Sequence, residues 1–133
     1  PAAQDLVPAT LRDRVIFAPF LSDEHLLALY SSAAAVLYPT LYEGFGFPAI
    51  EAQAVGTPAI FSALGSLSEL VGPLASVVPP DDLGAWVHAV RQALLPPHDH
   101  KAIAAEARQW ASQFSWQRSA RAHLLVYAAA CRR

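Results

Sequence analysis

Apolar positions along this chain fall into two rhythms. Short runs rich in β-branched and aromatic residues occur at Val15-Ile16-Phe17, Ala35-Val36-Leu37-Tyr38, Pro58-Ala59-Ile60-Phe61 and Ala75-Ser76-Val77-Val78. Their length and type predict buried strands. Between and after them the apolar residues recur at helical spacing. Leu26, Leu29, Tyr30 and Ala33 follow Ser22, an N-cap residue, with Asp23 and Glu24 in the first turn where carboxylates favour the helix dipole. A second helix is expected from about Gly46 to Val55, with Gly56 at the position past the end that suits glycine. Ser66-Leu67-Ser68-Glu69 matches a capping box opening a short helix.

From Asp81 onward the pattern is wholly helical. One apolar face comprises Leu83, Trp86, Val87, Val90 and Leu94, and a second Ile103, Ala107, Trp110 and Phe114. Ser115 caps a last helix with Trp116, Ala120, Leu124 and Tyr127 on one side, and Pro96-Pro97 separates the first two helices. Residues 1–14 are polar and read as an incoming loop. Helical spacing assigns all three tryptophans to core packing.

Short strands alternating with helices predict an α/β fold: a Rossmann-like parallel sheet of about four short strands with flanking helices, then an all-helical tail over 81–133. Residues 1–133 form one domain in this reading. Ligands of such sheets bind beyond the carboxyl ends of the strands, here the loops after Tyr38, Phe61 and Val78.

Composition narrows the picture. The chain has 133 residues, of which 54% are hydrophobic and 15% charged, too apolar for a disordered segment. Its net charge of −2 and scattered Lys and Arg give no nucleic-acid footprint. A single cysteine, Cys131, excludes an internal disulfide framework. No apolar stretch reaches the roughly 18 residues of a membrane span, and no signal peptide is visible. The expected setting is the cytoplasm, with peripheral attachment at the inner face of the membrane left open for a longer parent. Arginine outnumbers lysine, present only as Lys101, which suggests a GC-rich bacterial source. The start at Pro1 and the lack of methionine suggest a fragment.

Chemistry concentrates in Glu43-Gly44-Phe45-Gly46-Phe47-Pro48-Ala49-Ile50-Glu51. Gly44 and Gly46 permit positive φ and close backbone approach to a ligand. The helix beginning near Gly46 offers unpaired N–H groups and the positive end of its dipole to an anion. Pro48 fits the first turn, where its missing donor is harmless. Glu43 and Glu51 flank that end, and carboxylates beside a phosphate are suited to accepting hydrogen bonds from neighbouring hydroxyls. A sugar joined to a nucleoside diphosphate has this layout of polyol, phosphates and ribose diol. Blander readings stand alongside: Glu43 completing a capping box with Thr40, and Glu51 as a solvated helix residue. Glu69 is assigned to the capping box, His98 and His100 to a solvated loop, and His25, His88 and His123 to boundary positions on amphipathic helices. No metal-ligand cluster is expected.

The run from Pro39 through Glu43, Gly44, Gly46, Pro48 and Glu51 to Gly56-Thr57-Pro58 resembles the signature of group 1 (family 4 type) glycosyltransferases, retaining enzymes of GT-B fold with an E-x7-E motif. Val15-Ile16-Phe17, the Leu26 to Tyr30 helix, Ser66 to Glu69 and Phe114-Ser115-Trp116 fit the same register. The resemblance implies part of the C-terminal donor-binding domain. It implies that Glu51 holds the nucleotide ribose and that Glu43, the catalytic position, engages the transferred sugar. Backbone N–H groups around Phe45, Gly46 and Phe47 would meet sugar hydroxyls and diphosphate. The implied donor is a UDP- or GDP-linked sugar, with no tightly bound cofactor and no metal.

Departures from the pattern matter too. The family's basic pair that clamps the diphosphate would precede this chain. Arg12 and Arg14 stand ahead of a strand, and Lys101 lies in the helical tail. Gln53 and Phe20 replace common Met and Gly. The missing N-terminal acceptor domain implies an inactive isolated chain and self-association through an exposed edge. A non-catalytic sugar-nucleotide-binding or interaction module is the alternative. A GT-B phosphorylase is a third reading, disfavoured in its pyridoxal form because the one lysine lies off the sheet rim.

Overall fold

The structure, a computed structural model, describes residues 3–62, 64–95 and 99–132. Two 3-10 helices, Ala3–Leu6 and Ala9–Arg14, lead in. Then follow α1 (Asp23–Ser32), β1 (Val36–Tyr38), α2 (Phe47–Val55), β2 (Ala59–Phe61), a 3-10 helix at Gly65–Glu69, and β3 (Ala75–Val77). Three helices complete the chain: α3 (Leu83–Ala93), α4 (His100–Ala111) and α5 (Trp116–Ala130). Pro96, Pro97 and His98 lie outside the described residues.

The sheet is parallel in the order β1-β2-β3, with Val36 opposite Ala59 and Ala59 opposite Ala75. Its central strand, β2, is wholly buried. Alternate side chains of a strand face opposite sides, and β2 uses both. Ala59 and Phe61 join Ala49, Ile50 and Ala52 of α2, Leu67, Leu70 and Ala111 in one core. Ile60 points the other way, to Val78 and Trp86, with Ala89 and Val90 of α3 around them. Helices therefore cover both faces of the sheet, which a parallel sheet requires.

Local chemistry sets the helix limits. Ser22 accepts from the His25 N–H, Asp82 from Ala85 and Ser115 from Arg118, each a side-chain N-cap. Gly56 ends α2 in the left-handed region at φ 86°, and Arg108 Nη1 of α4 donates to the Val55 carbonyl beside it. Small residues Ala104, Ala107 and Ala111 bury the inner face of α4, the main partner of α2.

Several expectations are corrected. Val15-Ile16-Phe17 forms no strand: Val15 is extended, but Ile16 is 90% exposed and the segment pairs with none of the described strands. Extended backbone becomes a strand only with a neighbour to bond, so the sheet has three strands, not about four. The last helix buries none of its residues, and Trp116 is 77% exposed, whereas Trp86 is buried and Trp110 half-buried. The apolar spacing of α5 marks a face, yet no described element covers it. His100 opens α4 rather than lying in a loop.

Candidate functional site

The loop from Pro39 to Gly46 leaves the carboxyl end of β1 and enters α2. Gly46 is the N-cap, in the left-handed region at φ 100°. A Cβ there would stand 2.3 Å from Leu67 Cδ2, and Leu67 is fully buried, so both backbone and packing demand glycine. Gly44 differs from expectation. Its φ is not positive, and a Cβ there would meet nothing within 4 Å. Its flank is open space, not a tight turn.

Glu43 is gripped by its own surroundings. Tyr38, the last residue of β1, donates its hydroxyl to Glu43 Oε2. The Gly44 N–H donates to Oε1 at 3.1 Å. The Tyr38 hydroxyl first, and the Gly44 amide second, hold the Glu43 carboxyl below its ordinary range. The same hydrogen bond, helped by burial and the Glu43 charge, pushes the Tyr38 phenol up to about 12. Thr40 bonds the Tyr42 carbonyl instead, so the capping box with Glu43 does not form.

Glu51 lies half-buried in the second turn of α2. Its partner is Tyr30 of α1, whose phenol is raised by burial first and then by the Glu51 charge and hydrogen bond. Glu51 is thus not a freely solvated helix residue. The Tyr30 carbonyl accepts from the Thr57 hydroxyl at 2.8 Å, fastening the end of α1 to the turn after α2. The charge of Tyr30 is a further, smaller influence raising the Tyr38 phenol.

The loop after β2 closes on the loop after β1. The Ser62 hydroxyl donates to the Thr40 carbonyl, and the Ser66 hydroxyl to the carbonyls of Glu43 (2.9 Å) and Phe45 (3.2 Å). The capping box of Ser66 and Glu69 is therefore overturned: its segment is a 3-10 helix without a side-chain cap, and Glu69 is exposed. Ser66 has a use 21–23 residues away that outcompetes a local cap.

Phe47 is the first residue of α2, and N–H groups of a first helical turn lack intrahelical acceptors. Ala49 N–H turns back to the Gly46 carbonyl at 3.1 Å, and Pro48 has no N–H to offer. The donors at this end are accordingly few. The Phe45 and Phe47 rings meet edge to face at 4.9 Å between centroids. They line a groove of about 550 Å³ with Phe114, Trp116 and Arg118. Among the described residues no group of three or more His, Cys, Asp and Glu side chains gathers to hold a metal ion. Lys101 is exposed on α4, and Arg12 and Arg14 end the second 3-10 helix.

Sequence reasoning singled out the two glutamates and the glycines but passed over Tyr38, Tyr30, Ser62 and Ser66. Tyr38 was readable only as a strand end and Tyr30 only as a helix face. The signal was a phenol at the end of a strand, five residues before an acid across a Pro-containing turn.

A parallel α/β layer thus carries this acid-flanked helix start at the ends of its strands. Residues 8–110 match the family described as Glycosyl transferases group 1, and the chain belongs to that family. It is 40% identical over 111 residues to the MMP alpha-(1->4)-mannosyltransferase of Mycolicibacterium hassiacum, covering 80% of this chain and 27% of that protein. It is 35% identical over 122 residues to the D-inositol 3-phosphate glycosyltransferase of Mycolicibacterium smegmatis, covering 90% and 28%. The solved sucrose-phosphate synthase from Thermosynechococcus elongatus superposes with a TM-score of 0.77 at 34% identity, over 90% of this chain and 32% of that one. The fold is accordingly part of a GT-B architecture. The chain spans between a quarter and a third of the length of these relatives. Among the described residues no helix is long and apolar enough to cross a membrane.

Proposed function

We propose that residues 1–133 act as one unit forming the donor half of a retaining glycosyltransferase. The whole protein transfers a hexose from a UDP- or GDP-linked sugar to a glycan, lipid or small-molecule acceptor. Glu51 accepts hydrogen bonds from the ribose hydroxyls, and Glu43 from hydroxyls of the transferred sugar. The backbone at Gly44, Phe45, Gly46 and Phe47 lies against the sugar and diphosphate. The bond from the anomeric carbon to the diphosphate breaks, one to the acceptor oxygen forms with the same configuration, and the acceptor hydroxyl proton passes to the departing diphosphate. Negative charge grows on the departing phosphate, where the mouth of α2 favours it.

The helical part, 81–133, backs the sheet. The acceptor is held by a separate N-terminal domain, and the chain alone is catalytically silent. The protein works in the cytoplasm at the inner face of the membrane.

The observation carrying this reading is the pair of partnered acids at one helix mouth, with Glu43 kept charged and therefore an acceptor of hydrogen bonds. The names of relatives, two of them transferases of mannose or another glycosyl group, support the substrate class. The test is a titration of the intact protein with several nucleoside-diphosphate sugars, repeated for Glu51→Ala and Glu43→Ala. Weaker nucleotide binding is expected from the first and lower turnover from the second. Negligible effects from both would instead identify a non-catalytic module.

A further inference from the structure

We propose that Tyr38 is a positioning residue for Glu43, fixing its carboxylate plane through the hydroxyl-to-Oε2 hydrogen bond so that the remaining lone pairs meet the transferred sugar. The proposal rests on the reading of Glu43 given above. A carboxylate offers about four acceptor positions. Tyr38 fills one on Oε2 and the Gly44 amide one on Oε1, which defines the plane and leaves the rest free.

A phenol suits this task better than a cation. It donates one directed bond and carries no charge, so the negative charge of Glu43 is not neutralised by a counter-ion and remains available to sugar hydroxyls. The donor is firmly mounted. Tyr38 ends a strand paired residue by residue with β2, its ring packs on the main core, and Phe61 opposite it is fully buried. Glu43 itself sits on a loop whose carbonyls are tied by Ser66. Strand and loop thus meet at a single side-chain bond.

The groups facing Glu43 are the Tyr38 hydroxyl from β1, the Gly44 amide from its own loop, and Ser66 at its carbonyl; the charges of Tyr30 and Glu51 act further off, on Tyr38 and Tyr30 respectively. Loss of the Tyr38 donor lets the Glu43 carboxyl rise toward its ordinary range, so it protonates at higher pH.

The experiment uses the intact enzyme with its nucleotide-sugar donor. Tyr38→Phe removes one oxygen and keeps the ring. Expected are a kcat about tenfold lower, the size of one charge-assisted hydrogen bond, an unchanged KM for the donor, and an acid limb of kcat moved to higher pH. In a Glu43→Gln background the same change should add nothing. Full additivity, or an unmoved acid limb, overturns the proposal. A second test keeps every atom of the site: fluorinated tyrosine at position 38, whose phenol ionises at lower pH and then cannot donate. Turnover should fall at a lower alkaline pH than in the unmodified enzyme, and an identical alkaline limb overturns the proposal.

The two levels separate cleanly. If Glu43→Gln leaves turnover intact, the reading of Glu43 fails. If Glu43→Gln abolishes turnover while Tyr38→Phe matches the parent enzyme, only the role of Tyr38 fails.

Discussion

The Ser66 hydroxyl lies 2.9 Å from the carbonyl oxygen of Glu43, and with the Ser62 bond to Thr40 it joins the loops that leave adjacent strands β1 and β2. It reaches the Phe45 carbonyl as well, at 3.2 Å. Ser66→Ala should therefore loosen the glycine loop without disturbing the sheet. The expected cost is about 1 kcal/mol in unfolding free energy, with a larger proportional loss in donor affinity. Denaturant titration and calorimetric binding on the same sample measure both. An unchanged affinity would show that the loop keeps its shape without Ser66.

The two loop glycines should behave in opposite ways. Gly46→Ala places a Cβ against buried Leu67 at a φ of 100°, and a loss of about 2–3 kcal/mol is expected. Gly44→Ala meets open space at an ordinary φ and should leave thermal stability unchanged. If sugar or phosphate settles against Gly44, the same methyl group should reduce donor affinity sharply. Thermal melts paired with binding isotherms separate a glycine required by the chain from one required by a ligand.

The Tyr38–Glu43 pair gives a defined pH window. Glu43 has its folded pKa depressed, so its contribution is present above the ordinary carboxylate pKa, about 4.3, and fades as pH falls through the lower folded value. Tyr38 has its folded pKa raised, so its contribution is complete below the unfolded phenol pKa of about 10 and fades as pH rises through about 12. With a 13C label at Tyr38, the ring resonance should titrate near about 12. A midpoint at the ordinary phenol value would mean that the bond to Glu43 is not kept in solution.

Exposed apolar surface leads to a prediction about association. β1 and β3 each have one partner strand among the described residues, while Ile16, Phe20, Leu124 and Leu125 stand mostly exposed. Edges and faces of this kind recruit other chains. Sedimentation of residues 1–133 alone should show concentration-dependent self-association, reduced by Phe20→Glu. A monomer at all concentrations would contradict it.

Buried Gln53 offers a stability test. Its Nε2 donates to the carbonyls of Ala49 and Leu70, but Oε1 has no partner. An unpaired buried oxygen costs about 1–3 kcal/mol. Gln53→Met removes it along with the bonds to Ala49 and Leu70, whose carbonyl oxygens lose a donor, so stability should stay within about 1 kcal/mol of the parent. A clear fall in the denaturation midpoint would show that the bonds to Ala49 and Leu70 outweigh the orphan oxygen.

What the sequence revealed and what it concealed divide along a physical line. Features fixed by near neighbours were legible: the caps at Ser22 and Ser115, α2 between Gly46 and Gly56, and the runs that became β1, β2 and β3. So was the arrangement of Glu43 and Glu51 around one helix end. Features decided by distant partners were not. Val15 to Phe17 has the composition of a strand but no strand to pair with. Ser66 has the spacing of a cap, yet its acceptors lie 21 and 23 residues back. Trp116 repeats at helical spacing, yet it is 77% exposed on a helix that buries none of its residues, with only the Phe47 ring nearby at 6.3 Å among the described ring contacts. Tyr38 and Tyr30 looked like packing residues because only the folded chain brings phenols to carboxylates.

Ser66, Tyr38 and the Gly44 amide hold the loop from both sides with bonds internal to the chain. A binding surface already rigid in its working shape surrenders little conformational entropy on complex formation. Recognition here should be fast and close to lock-and-key, its selectivity residing in fixed geometry instead of adaptive closure.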